Sequence, residues 1–324
     1  MLVITRVGLL AGLVDSGRRS VQAQGFSQSG ALDWVNYQLA NAICGVPLNS
    51  TCIEILGGEF ACTFSHDIII SITGAHLDVF LNQKRVKLNT MLCISKGDNL
   101  ALGNLQSGFV SYIAIGGEFN SPRFGQSVCA VKREKVGGLH QDGQTLSVGD
   151  RLIYNAFVRK STTFDENKQK IIPPVLQKYI DASLQHERVL SVNSGYQSDF
   201  FSQLSVSLFY ESDFTVSRYF DRMGVRLISL FNIRKDALNC SSLRSQGIVL
   251  GSIQVPENGN PIILRNDRQT IGGYPIIGIV DSVSLSMLGQ AKEHDIIRFE
   301  CCDAQESDTK RLTISLALKK ILNE

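Results

Sequence analysis

Short apolar runs, many with a period of two, recur along this chain: FACTF, DIIISITG, LCIS, NLALG, GFVSYIAIGG, RLIY, GIVLGSIQV, PIILR, PIIGIVDSV and HDIIRFE. Gly, Asn or Asp separates them every roughly 8 to 12 residues, the spacing of sandwiches and barrels. A mainly β fold follows. The Asn258-Gly259 pair in ENGN is a hairpin signal, so Gly247 to Val280 is expected to form a compact meander. In KGDNLALG, VGDRLIY and EHDIIRF an Asp precedes a strand, where its short carboxylate fixes a turn. The repetition is a thin internal echo of two similar halves.

Helical patterning is sparse. In ALDWVNYQLANAICG, Leu32, Val35, Leu39, Ala42 and Ile43 share a face, Asp33 suits the N-cap and Gly45 the stop. PPVLQKYIDASLQH predicts a second helix, and a third is expected over about Gln197 to Leu204. The 324 residues suffice for about two domains. RKSTTFDENKQK has the composition of an exposed linker. The expected organisation is a first subdomain over 1–158, a linker with a helix over 159–185, and a second subdomain over 186–324, with an extra strand or helix in the 303–324 tail.

Several function classes lose support at this point. With 32 Lys plus Arg against 30 Asp plus Glu, a net charge of +2 gives no reason to expect nucleic acid or an anionic membrane as partner. The eight cysteines form no CxxC pair and read as buried small hydrophobes of a reducing compartment. No apolar run approaches the ~20 residues of a membrane span, and the apolar N-terminus lacks the charge pattern and cleavage site of a signal peptide; a cytoplasmic protein is expected. The five histidines show no HExxH or paired spacing, so no metal site is expected. No GxSxG elbow, phosphate loop or GxGxxG follows a strand.

What remains is a set of polar residues at strand ends. The densest stretch is DRQTIGGYP, residues 267–275, between two runs that read as buried strands. Charges placed there must stay near water or a ligand. Asp15 and Arg18 in VDSGR, the DRMGVRL segment with Asp221, Arg222, Gly224 and Arg226, and Gln254 in GSIQVP complete the set. Each has a structural reading: Asp221 pairs with Arg226 across a hairpin, and Gly272-Gly273 makes a tight turn. Together, Arg forks and consecutive glycine amides suit carboxylate or phosphate oxygens.

GSIQVPENGNPIILRNDRQTIGGYP, with DRMGVRL upstream, resembles the C-terminal half of the biotin-dependent carboxyltransferase A/B family, which includes allophanate hydrolase subunit 2, KipA-type proteins and the C subunit of 5-oxoprolinase. GLVDSGR, SGALDWVNYQLAN, IEILGGEFACTF, ITGAHLD, GFVSYIAIGGEF and VGGLHQDGQTLSVGD continue the resemblance in order, from about residue 4 to 300. It implies two cyclophilin-like β-barrel subdomains with a few short helices. It also implies a KipI-like partner (allophanate hydrolase subunit 1-like), and for 5-oxoprolinase a third, lactam-opening subunit and ATP. No Met-Lys-Met biotin-attachment motif occurs in the chain.

A subunit of an ATP-dependent 5-oxoprolinase-type hydrolase, converting 5-oxoproline to glutamate, is the function expected. A non-catalytic KipA-like regulatory subunit is the alternative, and a urea carboxyltransferase component the third. Under the first reading Arg268, Gln269, Thr270 and the amides of Gly272 and Gly273 face developing phosphoryl charge. Arg222 and Arg226 hold the substrate carboxylate, Asp267 orients one of them, and Gln254, Tyr274, Asp15 and Arg18 complete the binding set. Three first-half positions depart from the pattern. Val14 replaces a Gln, FGQSVC at 124–129 lacks an Arg and a Thr, and Gln144 replaces an Arg.

Overall fold

The computed structural model describes residues 1–157, 170–234 and 243–323. The chain divides into two compact units: Met1–Arg18, Ser29–Asp181 and Ile314–Glu324 form one, Arg19–Gln28 and Ala182–Thr313 the other. The expected linker lies partly outside the described residues. Its helix is α2 below, in the first unit except for its last two residues, and residues 19–28 and 314–324 group apart from their sequence neighbours.

The first unit contains β1 (Leu2–Val7), β2 (Leu10–Val14), α1 (Trp34–Cys44), β3 (Cys52–Leu56), β4 (Phe60–Phe64), β5 (Ile68–Leu81), β6 (Lys84–Val86), β7 (Met91–Ile94), β8 (Asn99–Ile115), β9 (Gly117–Phe119), β10 (Arg151–Leu152), β11 (Tyr154–Ala156) and α2 (Pro174–Ser183). Nine of its strands join in one curled sheet, ordered β10-β1-β4-β8-β3-β2, with β5 pairing β6, β7 and β8. The long β8 makes the curl: its first residues pair with β4, its last with β3, and β5 runs along most of it. Ile4, Phe60, Ile72, Leu100 and Ile113 fill the core, each at most 1% exposed.

Helix α1 is tied onto this sheet by hydroxyls, Ser71 Oγ donating to the Ala40 carbonyl and Thr73 Oγ1 to that of Asn36, both at 2.6 Å. As the sequence predicts, Asp33 caps it. The carboxylate accepts from Asn36 N at 3.0 Å, from Asn36 Nδ2 at 2.7 Å and from the Tyr179 hydroxyl of α2 at 2.8 Å, and Gly45 stops it at φ 67°. Asp33→Ala is therefore expected to cost about 2–3 kcal/mol, since three buried donors lose their acceptor; the denaturant midpoint of the full chain measures it.

The second unit begins with β12 (Glu187–Ser194), α3 (Gln203–Glu211), β13 (Phe214–Phe220), β14 (Gly224–Ile228), β15 (Gln246–Gly247) and β16 (Ser252–Gln254). It continues with β17 (Ile262–Leu264), β18 (Ile271–Gly272), β19 (Ile276–Val280), α4 (Ser282–Leu288), β20 (Ile296–Cys302) and the tail helix α5 (Ala304–Asn323), whose last residues group with the first unit. Seven strands close a barrel in the order β12-β19-β16-β17-β14-β13-β20, sealed by the parallel pairing of β12 with β20. Phe209 stacks on Phe299 at 4.3 Å between centroids, with Phe214 tilted beside both.

The mainly β expectation holds, and two local expectations change. Residues 197–204 do not form one helix: a 3-10 turn over Ser198–Phe200 gives way to extended Phe201, and α3 starts where Ser202 Oγ accepts from Ser205 N. Nor is Gly247 to Val280 a simple meander, because β19 pairs with β16 and not with β17 or β18, the strands just before it. The ENGN hairpin signal holds, since β16 and β17 on either side of it pair antiparallel, with Gln254 opposite Ile262. The link folds back on itself through the Gly259 amide, which donates to the Pro256 carbonyl at 3.0 Å.

The turn echo holds in its geometry. Asp98, Asp150 and Asp295 each accept from the amide three residues earlier, at 2.7, 2.9 and 3.1 Å. Each also follows a residue in the left-handed region: Gly97 and Gly149 at φ 93°, His294 at φ 72°.

Candidate functional site

The hairpin joining β13 to β14 organises the site. Its turn closes by the Asp221 amide donating to the Gly224 carbonyl, and the Asp221 carboxylate accepts from Met223 N at 2.7 Å and Gly224 N at 3.1 Å. The expected Asp221–Arg226 pair is thereby corrected: the acid is engaged by its own turn. No ion pair or hydrogen bond of the Arg226 side chain occurs among the described residues, so its guanidinium is free beside the cavity.

Behind this hairpin, residues 265–268 fold inward. Arg222 forks onto Asp267, with Nε and Nη2 at 2.8 and 3.2 Å from the two carboxylate oxygens. Arg265, 1% exposed, donates to the carbonyls of Asp221 and Leu288. Arg268, 3% exposed, donates to the Ile248 carbonyl at 3.3 Å, and burial pushes its guanidinium down to about 10. It still carries its charge at neutral pH.

These charges do not stay at the surface for a ligand, as the sequence suggested. Backbone carbonyls and a carboxylate satisfy them internally, which removes the penalty that motivated the expectation. Arg268→Ala is therefore expected to lower stability by about 2 kcal/mol, seen as a lower melting temperature, rather than to act through a ligand alone.

The tight turn expected at Gly272-Gly273 is also absent. Neither glycine has a positive φ. Gly272 instead lies in β18, opposite Gln246 of β15, and the Thr270 carbonyl accepts from Ile248 N at 3.0 Å.

In front of the hairpin opens a cavity of about 490 Å³. Arg218, Asp221, Arg226, Gln254, Gln269 and Tyr274 present its polar groups, and Ile262 and Leu264 supply apolar wall. Gln254 is 2% exposed and its Nε2 has no hydrogen-bond partner among the described residues. Two guanidiniums against one turn-bound carboxylate leave the cavity cationic, suited to a small anion.

The cavity unites four of the expected residues: Arg226, Gln254, Gln269 and Tyr274. Arg222, Asp267 and Arg268 brace it from behind, and Thr270, Gly272 and Gly273 belong to the neighbouring loop and ribbon. Arg218 and Tyr219 were missed. Strand alternation from Phe214 and Val216 puts Arg218 inside, but a register shift before Phe220 turns it out. There its guanidinium donates to the Tyr219 hydroxyl at 2.8 Å. The signal was the Arg-Tyr pair one residue upstream of DRMGVRL.

Asp15 and Arg18 belong to the first unit. Asp15, 4% exposed, accepts from Gly17 N, Ser127 Oγ, Val128 N and Arg123 Nη1 at 2.7 to 3.2 Å. Arg18 donates to the Cys129 carbonyl and lies over the Phe124 ring, 5.6 Å from its centroid. Both hold the FGQSVC segment in place, and Arg123 just before it provides a cation at the carboxylate although Ser127 stands where the resemblance has an Arg. Among the described residues no group of three or more His, Cys, Asp or Glu is placed to hold a metal ion, and no helix is long and apolar enough to cross a membrane.

Comparison with known proteins agrees with the fold. The family model "Carboxyltransferase domain, subdomain A and B" matches residues 24–301. The chain is 31% identical to the 5-oxoprolinase C subunit of Escherichia coli K12, over 95% of this chain and 93% of that protein, and 29% identical to its Haemophilus influenzae namesake, over 99% and 97%. It is 28% identical to urea amidolyase of Lachancea kluyveri, over 87% of this chain but only 16% of that protein.

Among solved structures, Kluyveromyces lactis urea carboxylase superposes with a TM-score of 0.85 at 21% identity, covering 99% of this chain and 29% of that one. That likeness concerns the fold alone, and the chain spans under a third of that protein. A family match across most of the chain, on this fold, places the protein in the carboxyltransferase domain family, subdomains A and B.

Proposed function

We propose that this protein is a subunit of an ATP-dependent 5-oxoprolinase-type lactam hydrolase that converts 5-oxoproline to glutamate with a KipI-like partner. One observation carries the reading: the chain matches the C subunits of two 5-oxoprolinases over nearly their whole lengths, whereas the urea amidolyase match covers a small part of that protein. The cavity is compatible in chemistry. The free Arg226 guanidinium suits the 5-oxoproline carboxylate, and Gln254, Gln269 and the Tyr274 hydroxyl suit a polar ring edge.

ATP supplies the phosphoryl group that activates an otherwise unreactive lactam oxygen. The chain's own residues bind and orient the substrate: Arg226 fixes one end, the apolar wall of Ile262 and Leu264 excludes water from the ring, and Arg222, held by Asp267, keeps the hairpin in position. A non-catalytic KipA-like binding subunit is the second reading, favoured by Ser127 standing where the resemblance places an Arg. Phosphate release dependent on 5-oxoproline, measured on the complex co-purified with its partner subunits, separates them. Release supports the enzyme; a stable complex with none supports the binding subunit.

A further inference from the structure

The pairing of β13 with β14 runs from Val216 opposite Leu227 to Phe220 opposite Val225. Residues 217–219 therefore occupy the place facing Arg226 alone, a bulge that turns Arg218 outward. Arg218 and Arg226 are both exposed, and both line the cavity of about 490 Å³. Neither meets a carboxylate among the described residues. Arg218 is held instead by its neighbour: its guanidinium donates to the Tyr219 hydroxyl at 2.8 Å and lies 4.9 Å from the centroid of that ring. Like charges opposed across an antiparallel pair are unfavourable, and an anion between them removes the cost.

A third charge sits in the turn between the two strands. Asp221 is exposed and lines the same cavity. Both hydrogen bonds that its side chain accepts, from the amides of Met223 and Gly224, end on Oδ1. Oδ2 accepts nothing among the described residues, so half of the carboxylate is open to a cation. The floor between these charges is apolar. Arg226 stands opposite Ile262 and Gly224 opposite Leu264, and directly opposed residues share a face. The cavity therefore offers two guanidiniums, one carboxylate oxygen and a short hydrocarbon floor.

We infer that this cavity recognises an open-chain amino dicarboxylate: Arg218 and Arg226 each take a carboxylate, Asp221 takes the ammonium, and the carbon chain lies on Ile262 and Leu264. The inference rests on reading the cavity as the substrate site of the proposed hydrolase, and it deepens that reading. Hydrolysis adds one water across the lactam bond, turning a neutral amide into a carboxylate and an ammonium. 5-Oxoproline thus presents one charge to the three in the cavity, and glutamate presents three. Charge-assisted contacts are stronger than neutral ones. The product is therefore held more tightly than the substrate, and Arg218 and Asp221 select for it. Glutamate restrains the forward reaction by occupying the substrate's place.

The test uses the full chain, alone and co-purified with its partner, and four probes in calorimetry. L-Glutamate carries both carboxylates and the ammonium. L-Glutamine lacks the second carboxylate, glutarate lacks the ammonium, and 5-oxoproline lacks the second carboxylate and the ammonium. The wild-type protein is expected to bind L-glutamate about tenfold or more tighter than each of the others. Arg218→Gln should cost L-glutamate about tenfold and 5-oxoproline less than about threefold. Its melting temperature should hold, because Arg218 is exposed. Arg218→Lys should recover part of the loss by restoring the charge without the fork. Asp221→Asn keeps an oxygen for the turn amides and should bring L-glutamate to within about threefold of glutarate.

L-Glutamate binding no tighter than 5-oxoproline, no binding of any probe by chain or complex, or equal losses for the two ligands in both Arg218 variants would overturn the inference. Failure of the enzyme reading looks different. A complex that releases no phosphate with 5-oxoproline yet keeps the L-glutamate preference refutes that reading alone. Turnover that L-glutamate does not inhibit, in a complex that binds it no better than 5-oxoproline, overturns the inference alone.

Discussion

Under the proposed function, Arg226→Ala is expected to lower kcat/KM for 5-oxoproline about a hundredfold in the assembled complex while leaving the melting temperature nearly unchanged. The size follows from losing a charge-assisted contact to a carboxylate, worth about 1.5–3 kcal/mol. The lack of a stability effect follows from the fold: Arg226 is exposed on β14 and makes no ion pair or hydrogen bond among the described residues. Its β14 neighbours Val225 and Leu227, each 1% exposed, carry the packing instead. Arg226→Lys should recover part of the loss, since a point charge replaces a fork. Wild-type kcat/KM in the Ala variant would remove Arg226 from the site.

Asp15→Ala is expected to produce the largest stability loss, about 3–5 kcal/mol. Its carboxylate is the common acceptor for two backbone amides, the Ser127 hydroxyl and the Arg123 guanidinium. Removal leaves the Val128 amide and the Ser127 hydroxyl buried without that acceptor and frees the 123–129 segment. Asp15→Asn keeps the shape and some of the bonds, so about half the loss is expected. Urea unfolding of the two variants against wild type measures both. An Ala variant within about 1 kcal/mol of wild type would show that other contacts hold the segment.

Much of this molecule can be read from its sequence where the controlling interaction is local. Alternation marks the strands, Asp33 marks the start of α1, and three aspartates mark three turns of the same geometry. What escaped depends on distant partners. Asp267 and Arg268 read as charges that must stay near water or a ligand, yet Asp267 finds Arg222 and Arg268 finds the Ile248 carbonyl. Two register shifts, near Arg218 and at Gln254, invalidate the alternation where the cavity forms.

The parallel seam of the barrel sets a timetable for biosynthesis. Glu187 in β12 pairs with Ile296 in β20, and the pairing runs on to Asn193 and Cys302. At roughly 5–20 residues per second, β12 leaves the ribosome roughly 5 to 20 s before its seam partner exists. Until then one edge of β12 presents unpaired amides and carbonyls, the kind of edge that recruits foreign strands. Chains interrupted before Ile296 are thus open-edged rather than merely shortened. Nascent-chain quality control meets this protein with its second unit still unclosed.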